Sequence, residues 1–264
     1  MTRTFGFTEH HALYPAIDAS LPQLSQTGKT IFITGGAYGI GFAIAKAFAQ
    51  ANAEVLILLD ENLNGLADAH KRIQSDVPEF KGQVMPVVCN LGDAVGLNEA
   101  LARLIQQSVQ IDVLVLNAAE IGAPGPLSRL RLDDIWKHFT VNVRSNLVLA
   151  QKFIQQKVTA PCATPHSLAH ECPSENVSVI SMDPGTVYTE GVSKLCQKED
   201  LPLWTDADVP GNCAVWLASP PARILHGRFL CATWDVEELL RAVTGPKGFE
   251  QNPRWLTPGI LGMP

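Results

Sequence analysis

The chain is expected to fold as one α/β domain of the doubly wound kind, a parallel β-sheet covered by helices on both faces. Three observations point there. Apolar runs of five or six residues alternate with helix-length segments, the pattern of strand, crossover and strand. The first run ends in a glycine-rich turn that opens straight into a helix. At 264 residues and 46% hydrophobic content, the chain can bury one large core but not two full domains.

Residues 1–28 form a polar leader punctuated by Phe5, Phe7, His10, His11, Tyr14 and Pro15, expected to wrap the domain that spans 29–264 rather than fold alone. The apolar run 29–34 predicts the first strand and 39–51 the helix after it, followed by a strand over 54–59 and a helix over 62–76. The third strand, 84–89, contains Pro86, which donates no ladder hydrogen bond and so belongs at a sheet edge. A helix over 93–107 and a strand over 111–116 follow, then one long helix over 132–156 and an irregular stretch to Glu175. The strand over 177–182 is stopped by Pro184-Gly185. A helix over 211–219, a strand over 227–233, a short helix over 235–243 and a Pro/Gly-rich tail complete the chain, without repeats or low-complexity tracts.

A formal charge of −6 with no basic cluster argues against nucleic acid or an anionic membrane as the partner. No stretch reaches membrane-spanning length, and the first thirty residues lack a signal-peptide layout, so a soluble cytoplasmic protein is expected. Six scattered cysteines read as free thiols. Cys162, His166, His170 and Cys172 lie within eleven residues, but Pro161, Pro165 and Pro173 break the segment and no paired C-x-x-C knuckle is present. A surface linker is expected there, and no metal site.

The segment that carries chemistry is Thr34-Gly35-Gly36-Ala37-Tyr38-Gly39-Ile40-Gly41. Between a buried strand and a helix, Gly35, Gly39 and Gly41 let the backbone turn tightly and approach a pyrophosphate. The amides at the helix start, around Tyr38 and Ile40, then meet its charge.

With Asn117-Ala118-Ala119 after the fourth strand, Asn142-Val143 in the long helix and Asp183-Pro184-Gly185-Thr186-Val187-Tyr188-Thr189 after the later strand, the chain resembles the short-chain dehydrogenase/reductase family over nearly its whole length. The resemblance implies a Rossmann-type sheet and a bound NAD or NADP. Asn117 and Ala118 would then support the sheet beside the cofactor, Asn90 would face the adenine amine, and Pro184, Gly185, Thr186 and Thr189 would contact the nicotinamide end. Asp60, after the second strand, would accept from the adenosine ribose and repel the extra phosphate of NADP; the alternative is a solvated strand end followed by Glu61. The resemblance also implies a small-molecule substrate and a homo-oligomer formed through the long helices.

The departure lies between Asn142 and Pro184. Family enzymes place there a strand carrying serine and a helix carrying tyrosine and lysine one turn apart. Only 42 residues are available where on the order of sixty are needed at ordinary element lengths. The tyrosines are Tyr14, Tyr38 and Tyr188, and none has lysine four residues later. Ser181, Tyr188 and Lys194 imitate the order, but a gap of six puts the last two on opposite helix faces. Asn142 is the remnant of the catalytic set, and part of the usual fifth strand and its helix is expected to be missing.

Hydride addition to a ketone makes an alkoxide that an acid must protonate, whereas addition to an iminium makes a neutral amine. A fold that keeps the cofactor cradle without the acid suits a cationic carbon–nitrogen double bond, with the Asp183 carboxylate offsetting its charge or, alternatively, capping its own turn ahead of proline. The shortened segment and the Asp-Pro-Gly turn are similar to the bifunctional reductase/Diels–Alderases of fungal indole alkaloid pathways. That likeness implies reduction of an iminium-type secondary metabolite, a coupled cycloaddition and an assisting arginine, for which Arg129, Arg131 and Arg144 are candidates. Trp136, Trp204 and Trp255 are candidates for an apolar pocket wall. A non-redox cyclase or isomerase, and an inactive nucleotide-binding paralogue, are the alternatives.

Overall fold

The structure, a computed structural model, describes residues 6–122, 125–157, 172, 176–252 and 255–257. Strands β1 (Thr30–Thr34), β2 (Val55–Asp60), β3 (Gln83–Val88) and β4 (Val113–Val115) form a parallel sheet in the order β3-β2-β1-β4. Helices α1 (Gly39–Gln50), α2 (Leu63–Asp76) and α3 (Ala94–Gln106) are the crossovers. β3 is an edge strand, as Pro86 requires, with Pro86 in register with Leu58.

Alternation along the central strands divides the core. Ile31 and Ile33 of β1 and Leu56 and Leu58 of β2 point into one cluster with Ile44 and Phe48 of α1. Phe32, Ile57 and Leu59 point into a second cluster with Leu97, Leu101 and Leu104 of α3. Strands whose central residues are apolar and buried on both faces, as Ile31–Ile33 and Leu56–Leu59 are, are what two helix layers demand.

The later chain departs from a single continuous sheet. β5 (Ile180–Asp183) and β6 (Arg228–Cys231) form a separate parallel pair, with Asp183 opposite Cys231, and no described strand joins β5 to β4. Ile180 and Met182 pack on the first core cluster, while Ser181 and Asp183 on the other face of β5 are exposed.

Three boundaries differ from the sequence expectation. β4 is shorter than 111–116, because the Gln156 side chain accepts the Ile111 N–H and the amides of Asn117 and Ala118 turn to the Thr34 hydroxyl. The strand expected over 177–182 pairs only from Ile180, since Val179 N–H donates to the His226 ring. The long helix is α4 (Leu132–Phe139), a π-helical turn Thr140–Arg144, and α5 (Ser145–Lys157). At that turn Ser145 Oγ donates to the Thr140 and Leu91 carbonyls, and such side-chain insertion accompanies π-bulges.

A short helix α6 (Glu190–Ser193), α7 (Asp208–Leu217) and α8 (Val236–Thr244) complete the fold. α7 lies close on α1 because Gly211 has no side chain: a Cβ there would stand 2.7 Å from the Ala43 carbonyl oxygen. The pair is tied at its edge by Lys46 and Asp208, 2.6 Å apart. Leader residues Tyr14, Ile17, Ala19 and Leu24 are buried in the first cluster, and Tyr14 Oη donates to the Trp234 carbonyl. Among the described residues no helix is long and apolar enough to cross a membrane.

Candidate functional site

The glycine turn between β1 and α1 stands at the carboxyl end of the sheet, where open α/β folds receive ligands. Gly35 and Gly39 adopt φ of 66° and 53°, the left-handed region that glycine enters without steric cost. Gly41 is small for another reason: a Cβ would overlap the Gly35 carbonyl oxygen and lie 2.6 Å from Asn117 Nδ2. Ile40 packs on the core, and the half-exposed Tyr38 ring covers Gly65 at the start of α2. Glycine is thus required at this turn by backbone conformation at Gly35 and Gly39 and by close packing of the turn on α1 and Asn117 at Gly41.

Asn117 and Ala118 join this turn to β4. Thr34 Oγ1 accepts both of their N–H groups at 2.9 and 3.0 Å and donates to the Val115 carbonyl at 3.3 Å, while Asn117 Nδ2 donates to the Thr34 and Gly35 carbonyls. Thr34 is fully buried, so each of these bonds replaces water that cannot reach it. Asp60 sits across the turn, with Oδ2 accepting from Ala37 N–H at 3.3 Å and Oδ1 from Asn62 N–H at 3.1 Å. Asn90 is one loop further: its Nδ2 donates to Glu61 and its Oδ1 accepts from Gly92 N–H.

The Pro-Gly turn closes the other side. Thr189 lies against Gly39, where a Cβ on the glycine would stand 3.1 Å from Thr189 Cγ2, and Thr189 Oγ1 caps α6 by accepting from Val192 N–H. Gly185 has φ of 79° and is walled by Thr205 and Thr233. The Thr186 carbonyl accepts from Thr205 N–H at 2.7 Å. Asp183 Oδ1 accepts from Gly185 N–H at 2.8 Å, the local turn contact that a residue before Pro-Gly makes. Its Oδ2 takes part in no hydrogen bond among the described residues.

Asn142, in the π-helical turn, grips the backbone of Glu120 from both sides, its Oδ1 accepting from Glu120 N–H and its Nδ2 donating to the Glu120 carbonyl. No contact links it to Asp183 among the described residues. The loop it holds borders a cleft of roughly 230 Å³ walled by Glu120, Gly122, Leu130, Ile135, Lys137 and His138. Lys137 Nζ lies 2.8 Å from Glu120 Oε1, and that carboxylate holds the ammonium above its ordinary pKa. Sequence reading passed over Thr34 as a joint and over Glu120, Lys137 and His138. The polar residue at the end of an apolar strand was the available signal for Thr34.

Among the described residues no tyrosine has a lysine contact: the Tyr38 ring lies against Gly65. Tyr14 is held by the Trp234 carbonyl and Val236 N–H, and burial pushes its phenol up. Tyr188 lies edge-on to Trp204 at 4.9 Å, while Lys194 pairs with Glu190 at 3.8 Å, so the order Ser181, Tyr188, Lys194 forms no catalytic group. Cys231 faces Asp183, and burial followed by that carboxylate's charge raises its thiol to about 11, which leaves it a poor nucleophile. Of the candidate pocket tryptophans, Trp136 is exposed on α4 and Trp255 packs with Phe7 and Phe249, leaving Trp204 beside the Pro-Gly turn. Arg131 is engaged by Asp133 at 3.6 Å, and Arg144 is exposed. Cys162, His166 and His170 lie outside the described residues, and no metal-holding group occurs among the described ones.

The parallel sheet, the glycine turn at its carboxyl edge and the Thr34–Asn117 joint define a Rossmann-type dinucleotide-binding protein. A family profile described as short chain dehydrogenase matches residues 29–160. The chain belongs to the short-chain dehydrogenase family, a family of NAD(P)-dependent oxidoreductases. It is 29% identical to a short chain dehydrogenase/reductase of Claviceps purpurea, with 81% of each chain covered, and 28% identical to the short chain dehydrogenase/reductase nsrO of Aspergillus novofumigatus, with 89% of each covered. The Claviceps alignment spans 243 positions, more than 81% of 264 residues can fill, so that relative has residues for which this chain has no counterpart. Among solved structures, L-sorbose reductase of Gluconobacter frateurii complexed with NADPH and L-sorbose superposes with a TM-score of 0.66 at 19% identity, covering 79% of this chain and 96% of that one. A short chain dehydrogenase of Burkholderia cenocepacia in complex with NADP gives 0.62 at 22% identity, covering 78% and 96%.

Proposed function

We propose that the chain reduces a cationic, iminium-type small metabolite with a nicotinamide dinucleotide, in fungal secondary metabolism and from a cytosolic cofactor pool. The observation that carries this reading is a dinucleotide cradle with no lysine-supported tyrosine among the described residues. The pyrophosphate would lie over Gly35, Gly39, Ile40 and Gly41, with the ribose toward Asp60 and the nicotinamide end toward Pro184, Gly185, Thr186 and Thr189. Asn117 and Ala118 would hold the floor, and Tyr38 and Asn90 the adenosine side. The bound cofactor supplies the hydride. Asp183 offsets the positive charge of the acceptor, Asn142 fixes the Glu120 loop, and the cleft beside that loop takes the body of the substrate. The proposal stops at the reduction; no residue of the described site is assigned to ring formation.

The carboxylates of Asp60 and Glu61 stand together at the ribose end, which favours NADH over NADPH by charge alone. The test is oxidation of each cofactor, followed by absorbance, against a cyclic iminium and its matched ketone. Turnover of the iminium with NADH, without turnover of the ketone, is the expected result. Equal rates on the ketone would require a proton donor and overturn the reading.

The homo-oligomer belongs to the same proposal. Leu132, Trp136, Phe139, Val143 and Leu147 recur every three or four residues along α4, the π turn and α5, each between 45% and 65% exposed. An isologous contact would cover such a stripe with its own copy. Trp136→Glu should weaken self-association at least about tenfold, as loss of a central aromatic anchor does, read by light scattering on a sizing column. A monomeric wild type would remove this part.

A further inference from the structure

Two consecutive leader residues hold the two walls of Gly185. A Cβ at Gly185 would stand 2.9 Å from Thr205 Oγ1 and 3.1 Å from Thr233 Cγ2, so these threonines set the width of the slot in which the Pro-Gly turn sits. His11 Nδ1 lies 3.0 Å from Thr205 Oγ1, and the His11 carbonyl accepts from Asp206 N–H at 2.9 Å. His10 N–H donates to the Thr233 carbonyl at 2.6 Å, and its ring is fixed between Tyr14, stacked at 3.8 Å, and Asp235 Oδ2 at 3.0 Å from Nε2. Further out, Thr8 donates from N–H and Oγ1 to the Glu238 carboxylate. Thr205 and Thr233 are buried, and Thr205 N–H reaches the turn directly through the Thr186 carbonyl.

We propose that the leader is part of the cofactor site: His10 and His11 act as positioning residues that set Thr233 and Thr205 around Gly185 and so fix the turn that receives the nicotinamide end. The inference rests on the cofactor reading above. Anchoring of the leader to the core is a separate matter, carried by Tyr14, Ile17 and Leu24, which lie in the buried cluster and leave the His11 bond free to tune the turn. The hydrogen bond to Thr205 spans 194 residues of sequence, so it orders the turn only in the folded chain.

The experiment compares intact NADH with ADP, which lacks the nicotinamide end, on full-length protein by calorimetry. His11→Leu should weaken NADH about fivefold, the effect of one lost hydrogen bond, and leave ADP unchanged; His11→Asn, which keeps a polar atom near the Nδ1 position, should restore NADH affinity. Thr205→Val removes the same bond from the other side, keeps the side-chain shape and should reproduce the split should His11→Leu fail to fold. Equal losses for NADH and ADP, or no loss for either, would overturn the positioning role and leave the cofactor reading intact. A wild type that binds ADP and NADH with equal affinity would overturn the assignment of the Pro-Gly turn itself, and one that binds neither would overturn both.

Discussion

Gly41→Ala should cost the protein more than about 100-fold in dinucleotide affinity. Alanine is the better helix former by about 1 kcal/mol, so propensity alone argues for a small gain. The packing works the other way. The new Cβ would overlap the Gly35 carbonyl oxygen and crowd Asn117 Nδ2, and both belong to the joint that Thr34 ties together. A flexible side chain could swing aside, but a backbone carbonyl in a turn at φ of 66° moves only by moving the turn. Overpacking of this kind costs about 1–3 kcal/mol in stability, enough to exceed the propensity gain, and the displaced amides would no longer converge on one pyrophosphate. Gly125→Ala is the control, because among the described residues its Cβ would meet only Leu130 Cδ2 at 3.8 Å. Melting temperature and NADH binding measured on both variants decide it; unchanged binding in Gly41→Ala would remove the cofactor from this turn.

Asp183→Asn should lower kcat/KM for a cationic acceptor about 5- to 30-fold while leaving NADH affinity where it was. The amide keeps an oxygen that can accept from Gly185 N–H, so the turn survives and only the charge is lost. Asp183 is exposed, which places its attraction for a cation about 4 Å away near the lower part of the range of about 1–4 kcal/mol between water and a protein surface. Exposure also makes the effect sensitive to ionic strength: the ratio of wild type to variant should shrink as salt shortens the Debye length to a few ångströms. Steady-state kinetics at low and high salt test both parts. An equal fall in NADH affinity would show that the carboxylate serves the turn, and an unchanged kcat/KM would leave it no part in substrate recognition.

The turn between the first strand and first helix was legible because it is local. Strand, glycine turn and helix are contiguous in sequence, and the apolar period of β1 and α1 places Gly35, Gly39 and Gly41 without reference to anything distant. Asn117 and Thr189 were legible by the same route, as residues immediately after strand-ending runs, although their contacts with Thr34 and Gly39 were not. The extent of the long helix was legible but its π turn was not, because the apolar period barely registers one added residue; Ser145 and the grip of Asn142 on Glu120 accompany that turn, the second across 22 residues of sequence. The split of the sheet was only half visible. A shortage of residues after Asn142 indicates that something is absent, but where the gap falls depends on which strands pair, and pairing of β5 with β6 is non-local. Glu120, His138 and the leader's hold on Thr205 had no pattern to announce them, since polar residues in loops satisfy no period.

Under the proposed reading, the exposed side chains of β5 shift part of the work of excluding water onto the reactant. Ser181 and Asp183 are exposed on β5, so water reaches the carboxylate that would face the acceptor. A slender guest would leave that doorway wet and the carboxylate's pull diluted. A broad, rigid one laid flat over the strand would be its own lid, drying the chamber by its presence and strengthening the field it feels, which makes breadth of ring system the property by which this protein would choose what it reduces.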